Sequence, residues 1–309
     1  MQRPLLRQKR FPVHVLVFLA PAVVIYSIFM VYPLIDSLRL SFFTQDAHTV
    51  ETFAGLQNYV RLLTDPLWAP RFWGAFRNNL AFFAVHMLVQ NPVGLMLAAL
   101  LSRGGRSRAV YRTLIFTPTL LSVVIIGFIW QLILNPLWGI ARGLLKAVGL
   151  SVLFQPWLGL PETALITLSL ISVWQFVGIP MLLFYTALIA IPEELTEAAH
   201  VDGASPWEIF WRIKFPLILP TIGIVSILTF VSNFNAFDLI FTVKGGLAGP
   251  DFAADIFGTL FYRTFFGFQL QLGNPTMGAT VAAMMFLIIL AGVLLYMLVW
   301  QRRVQTYEL

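Results

Sequence analysis

The chain contains no cysteine among its 309 residues, so disulfides, thiolate metal sites and cysteine nucleophiles are excluded. Charge is also scarce: 11% of residues are Asp, Glu, Lys or Arg, against about 25% in an ordinary soluble domain. So little charge cannot wet the surface of a chain this long, whereas 59% hydrophobic residues and a mean hydropathy of +0.82 suit lipid as the solvent. Histidine is thinly spread, at His14, His48, His86 and His200, without ligand-spaced neighbours, which argues against a metal site. No Gly-Lys pair occurs, hence no phosphate-cradling G-x-x-x-x-G-K-[ST] loop. No clustered base, nucleophile or metal set of the kind a membrane enzyme needs is visible, and no catalytic residue is assigned.

What the chain has in abundance is apolar length. Six stretches stand out, near 13–35, 78–101, 114–134, 163–190, 217–242 and 276–300. At about 1.5 Å of rise per residue, roughly 20 residues cross a hydrocarbon core about 30 Å thick. Backbone polar groups in lipid must be satisfied internally, so these stretches are expected to be helices. The first one follows basic residues as a signal peptide would, but it runs on through Val31 and Tyr32, and no small-residue cleavage site follows.

The positions of the cations explain the net charge of +6 better than nucleic acid would. Arg3, Arg7, Lys9 and Arg10 precede the first span, and Arg103, Arg106, Arg108 and Arg112 fill the 102–113 link, both without an acid. Arg302-Arg303 begin the tail. In the 36–77 link, by contrast, Arg39, Arg61, Arg71 and Arg77 are balanced by Asp36, Asp46, Glu51 and Asp65. The positive-inside rule then predicts cytoplasmic 1–12, 102–113 and 301–309 segments, an even number of spans apart, and an external 36–77 segment. In that external segment Leu56, Tyr59, Val60 and Leu63 recur at helical spacing, and Trp68, Phe72 and Trp73 suit a membrane interface. The 243–275 link, with Gly245-Gly246 and Gly249-Pro250, reads as turns.

Residues 191–216 differ from every other link, for they read as two short helices joined by a turn. Pro192 can open the first, where Glu193 and Glu194 favour the positive helix end. Gly203 suits the left-handed residue that ends it. Ser205 then caps the second helix, Pro206 takes its first position, and Glu208 completes a capping box. Trp207, Phe210, Trp211 and Lys214 share one face, while Glu197 and Asp202 lie on the exposed helix, available to a basic partner.

On these residues the chain resembles the bacterial ABC importer permeases. Glu197-Ala198-Ala199, three residues, Gly203, nine residues and Ile213-Lys214-Phe215-Pro216 match the family's EAA loop, with Phe215 where Leu is usual. Phe53-Ala54-Gly55-Leu56-Gln57-Asn58-Tyr59, Phe237-Asp238-Leu239-Ile240 and Tyr262-Arg263 resemble the carbohydrate-importer subgroup of the maltose and glycerol-phosphate type. The resemblance covers about residues 13–300. It implies an all-α, single-domain membrane protein over 1–309, with about six transmembrane helices of the type I ABC importer permease fold, in the bacterial cytoplasmic (inner) membrane. The EAA loop, through Glu197, Ala198, Ala199, Asp202 and Gly203, would couple to a separate ATPase. Implied partners are a second, related permease in a heterodimer, two ATP-binding subunits that hold ATP and Mg, an extracytoplasmic solute-binding protein, membrane lipid and a sugar.

Polar residues within the spans mark the candidate solute path. Thr229, Ser232, Asn233 and Ala236 follow i, i+3, i+4, i+7 spacing on one helix face, and mid-span amides face protein or a water-filled path. Asn233-Phe234-Asn235 resembles a stretch of the maltose-type permease that contacts the sugar; an interhelical hydrogen bond is the alternative role for Asn233. In the fourth span Trp174 beside Gln175 would suit a sugar, with Gly178 and Pro180 loosening the helix nearby; packing is the alternative for Trp174. Gln90, Asn91 and Pro92 in the second span read as packing. A stand-alone secondary transporter or channel is the competing function, but its usual ionisable relay is missing: Asp238, near the end of the fifth span, is the only acid within the spans.

Overall fold

A computed structural model of the chain describes residues 13–45, 51–269 and 272–300. The basic N-terminal segment 1–12 and the tail 301–309 lie outside the described residues. Apolar length turns into helix as expected. Val17–Leu40, Ala69–Ser102, Leu219–Leu247 and Pro275–Trp300 are each long and apolar enough to cross a bilayer. Two further spans are bent pairs: Arg108–Leu120 with Val123–Ile133 at 95°, and Pro161–Phe176 with Gly178–Ile189 at 44°. Counting each pair once gives six spans, and most of the described residues are helical. One small antiparallel hairpin, Phe43–Gln45 with Glu51–Phe53, interrupts the 36–77 link.

The sharp bend of the third span has local and tertiary causes. Pro118 cannot donate to the helix ladder, and Leu121 and Ser122 adopt extended backbone, with ψ of 144° and 134°. The freed carbonyl of Leu121 accepts a hydrogen bond from Gln175 Nε2 at 3.2 Å, and Thr119 Oγ1 donates to Gln175 O at 2.9 Å. Gly178 lets the two spans touch there. A Cβ at that position would stand 2.9 Å from Phe116 Cα and 3.0 Å from Ile115 O, too close to backbone for any larger residue.

Spans two, four, five and six pack around the middle of the molecule, whereas the apolar window of the first span has no buried residue. Ala98, Met181, Phe184, Leu188 and Ile218 form one core at the end nearer the 191–216 loop. Leu62, Phe72, Phe234, Phe257, Met277 and Val281 form another towards the opposite end. The helix expected from Leu56, Tyr59, Val60 and Leu63 is present as Gln57–Thr64. Asn58 Nδ2 anchors it by donating to Ser41 O (3.0 Å) and Phe43 O (2.7 Å).

The 243–275 link is more ordered than its turn residues suggest. Short 3-10 turns at Gly245–Leu247 and Pro250–Phe252 lead into a helix, Phe257–Phe266. Buried Asn79 of the second span joins this helix to the fifth span: its Nδ2 donates to Asn233 O at 3.0 Å, and its Oδ1 accepts from Phe257 N at 2.8 Å. Phe257 N begins its helix and would otherwise lack a partner, whereas Asn233 O also accepts from Ala236 N at 3.3 Å.

Candidate functional site

Two regions hold the residues singled out by the sequence. In the first, residues 191–216, each capping residue acts as its chemistry predicts. Helix Glu193–Val201 ends at Asp202, and Gly203 follows at φ +80°, a conformation that L side chains resist. Ser205 Oγ accepts from Glu208 N (3.3 Å) while Glu208 Oε2 accepts from Ser205 N (3.0 Å), closing the capping box at Pro206–Ile209. Donation from Ser205 N and from Ser205 Oγ (2.9 Å) to Glu208 Oε2, with Arg212 nearby, holds the Glu208 carboxyl below its ordinary pKa. The chain continues as a π turn, Phe210–Lys214, on which the aromatic face is realised as a ladder. Trp207 meets Trp211 at 5.5 Å between ring centroids, and Trp211 meets Phe215 at 4.8 Å.

Ile191 and Ile218 are buried at the two ends of this loop, and Ala199 and Ile209 are buried within it. Glu197, Ala198, Asp202 and Gly203 are exposed, beside Val201 at 88% and Trp207 at 71% exposure. An apolar and acidic surface is thus held rigidly at one end of the helix bundle. Exposed aromatic and aliphatic side chains are rimmed there by acids.

The second region is a cavity of about 490 Å³ among the second, fourth and fifth spans. It exists because the fifth span breaks. Helix Leu219–Phe234 stops at Asn235, Phe237 takes the non-helical angles φ −153° and ψ −56°, and helix resumes at Asp238. Non-helical backbone at membrane depth is tolerated where it lines a cavity, and Asn235, Ala236 and Phe237 do line it. Thr229, Ser232 and Asn233 reach it from one helix face, as their spacing predicted, and Asp238 reaches it from the other side of the break. Asn233 is 4% exposed. Its Nδ2 donates to Thr229 O at 2.7 Å, and its Oδ1 has no partner among the described residues.

Trp174, Gln175 and Gly178 do not line this cavity. Adjacent residues on a helix point about 100° apart, so Trp174 and Gln175 cannot present a ring and an amide to one ligand here. Trp174 is exposed and packs edge-on against Trp130 at 5.6 Å, while Gln175 is fully buried against the bend of the third span. Gly178 serves the close contact with Phe116. In their place the fourth span contributes Ser172 and Phe176, and the second contributes Phe82, His86 and Gln90. The sequence marks His86 only as a histidine without ligand-spaced neighbours, and Gln90 reads there as packing. The available signal was their i, i+4 spacing, which puts both on one face in the middle of an apolar span.

The sequence profile of the family described as "Binding-protein-dependent transport system inner membrane component" matches residues 90–304. The lactose transport system permease protein of Rhizobium radiobacter is 31% identical over 236 residues, covering 75% of this chain and 76% of that protein. The trehalose/maltose transport system permease protein of Thermococcus litoralis is 28% identical over 284 residues, 92% of each. Among solved structures, a bacterial ABC transporter involved in the import of the acidic polysaccharide alginate superposes with a TM-score of 0.78 at 21% identity, covering 94% of this chain and 96% of that one.

Proposed function

The chain belongs to the family of binding-protein-dependent transport system inner membrane components, and from that premise we propose that it imports a sugar as one half of a permease pair. The observation that carries the reading is the rigid, exposed Glu197–Gly203 surface of the 191–216 loop, in a chain without a phosphate-binding loop of its own. A separate ATPase must supply the energy, and this surface is where its motion would enter. Two ATP-binding subunits holding ATP and Mg, a second related permease, and an external solute-binding protein complete the assembly. Sugar as the solute follows the lactose and trehalose/maltose relatives. Asn233, Ser232 and Thr229, in a cavity walled mainly by the second, fourth and fifth spans, supply the hydrogen-bonding groups it would need.

The reading requires the 191–216 loop on the cytoplasmic face of the bacterial inner membrane, together with both termini and the 102–113 link. A single cysteine at Ser107, which is exposed, is therefore expected to resist an impermeant thiol reagent applied to intact cells and to react in inverted vesicles. Labelling from outside would reverse the orientation and remove the loop from any cytoplasmic ATPase.

The solute path is tested at Asn233. In a complex with its ATPase and solute-binding protein, Asn233→Ala removes hydrogen bonds that a desolvated sugar needs. The loss is expected to be about 1 to 3 kcal/mol, or roughly five- to hundred-fold in affinity at the membrane site. Sugar binding to the isolated solute-binding protein should be unchanged. Normal uptake by the variant would reject Asn233 as a contact, and failed assembly would point to the interhelical role.

A further inference from the structure

His86 is a buried imidazole, 3% exposed, on the wall of the membrane cavity, and the importer reading leaves it without a role. Its two hydrogen bonds fix its tautomer. Nδ1 lies 2.8 Å from Phe82 O, a carbonyl that can only accept, so Nδ1 carries the hydrogen. In a neutral ring Nε2 is then a bare acceptor, and Ser172 Oγ, 3.0 Å away on the fourth span, must donate to it.

This is not what serine does elsewhere in these helices. Ser169 Oγ donates to Leu165 O at 2.7 Å and Ser226 Oγ to Ile222 O at 2.7 Å, the usual back-bond to the preceding turn. Ser172 is diverted from that habit by His86. With its one hydrogen committed to Nε2, its oxygen has only lone pairs left, and it stands on the cavity wall. Donation to a ring that itself donates to a carbonyl polarises the hydroxyl and makes its oxygen a better acceptor.

The rest of the wall has the same bias. Gln90 and Asn233 are each more than nine-tenths buried there, and Gln90 Oε1 and Asn233 Oδ1 have no partner among the described residues. A hydrogen bond from Asn233 Nδ2 to Thr229 O fixes which way that amide points. No lysine or arginine lines the cavity, and its one acid is Asp238. With no cation beside them among the described residues, the Ser172 and Asn233 oxygens suit a ligand rich in O–H donors better than a phosphate or carboxylate. The second span also forms a π turn, His86–Gln90, at this level, a local widening that helices use to place side chains at binding sites.

We propose that His86 is a positioning residue that fixes the Ser172 hydroxyl as an acceptor for a hydroxyl group of an uncharged, polyhydroxylated solute in this cavity. The inference rests on the sugar-import reading, and it assigns the contact to a second wall, formed by the second and fourth spans and separate from Asn233.

The test is equilibrium binding of tritiated maltose, trehalose and lactose to the complete permease–ATPase complex without its solute-binding protein. Thermal stability and basal ATPase activity are measured alongside. Ser172→Ala should weaken binding of the retained sugar about five- to tenfold, and Ser172→Thr, which keeps the hydroxyl, should recover most of it. His86→Phe keeps a ring against Phe82 but removes both nitrogens, freeing Ser172 to back-bond, and should weaken binding to the same degree. The double variant should be no worse than either single change, because the two act as one contact. Sucrose phosphate should compete with none of these proteins. Unchanged affinity in Ser172→Ala, or a loss of stability and ATPase activity without a change in affinity, overturns the proposal in favour of a structural clasp between two spans. A wild-type complex that retains none of the three sugars, while assembling and hydrolysing ATP, overturns the sugar reading and the contact with it.

Discussion

Asp255→Ala should be the most destabilising single change in the 243–275 link, costing about 3 to 5 kcal/mol. Asp255 and Arg263 are 3% and 2% exposed, and the guanidinium grips the carboxylate through two contacts, Nη2 to Oδ2 at 2.7 Å and Nη1 to Oδ1 at 3.1 Å. Arg263 also donates to Gly246 O at 2.9 Å and lies 4.7 Å from the centre of the Phe252 ring, while Thr259 Oγ1 donates to Asp255 Oδ1 at 2.7 Å. The pair therefore ties both 3-10 turns to helix Phe257–Phe266. Burial pushes the Asp255 carboxyl above its ordinary pKa, and Arg263 opposes that shift, so each partner is what makes the other's burial tolerable. Removing the acid leaves a guanidinium with five N–H donors in a site where Gly246 O is the remaining acceptor, and that orphaned cation accounts for most of the cost. Arg263→Met in the same chain should recover part of the loss, since an uncharged side chain of similar length needs no counter-ion. The measurement is the denaturant midpoint of the purified protein in detergent for the two single variants and the double. An unchanged midpoint in Asp255→Ala would mean that the pair is solvated and contributes little.

That ion pair also marks what the sequence could and could not reveal. Hydropathy gave the six spans because a bilayer reads only local apolar length. The caps at Ser205, Glu208 and Gly203 were legible because each acts through its own or a near-neighbour backbone group. Helix Phe257–Phe266 was not, because the residues that hold it lie elsewhere in the chain: Asn79 binds Phe257 N, and Asn78 Nδ2 donates to Asp255 O at 2.8 Å. The 95° bend in the third span depends in part on a distant group in the same way, since Gln175 braces it from another span. The cavity was half legible. The spacing of Thr229, Ser232 and Asn233 put them on one face, but which faces of the second and fourth spans meet them depends on helix rotation, and no single-span pattern records that. Trp174 and Gln175 looked paired only because they are adjacent in sequence.

Glu197→Lys and Gly203→Val should each cut transport at least tenfold while leaving the membrane bundle intact, and for different reasons. Glu197 is exposed and has no ion pair among the described residues, so its reversal should change the chain's own stability by no more than about 0.5 kcal/mol. Against a basic surface on an ATPase, however, the same change sets like charges face to face, a penalty of several kcal/mol at an interface. The effect should therefore be lost association or lost coupling, deeper at low salt than at high, because screening weakens the repulsion. Gly203 acts through backbone. At φ +80° a β-branched residue is strongly disfavoured, and no neighbouring atom lies within 4 Å of a built Cβ, so the penalty is conformational and not a clash. Valine there should shift the turn between Glu193–Val201 and Pro206–Ile209, moving Glu197 and Asp202 relative to the Trp207–Trp211 ladder. Its defect should thus be insensitive to salt. The buried Ala199 and Ile209 anchors remain in both variants, so purified yield and detergent stability serve as the control. Pull-down of the ATPase, ATP hydrolysis stimulated by loaded solute-binding protein, and uptake in vesicles are read together at two ionic strengths. If both variants assemble, hydrolyse and transport as the parent does, the 191–216 loop is not where the ATPase drives this protein.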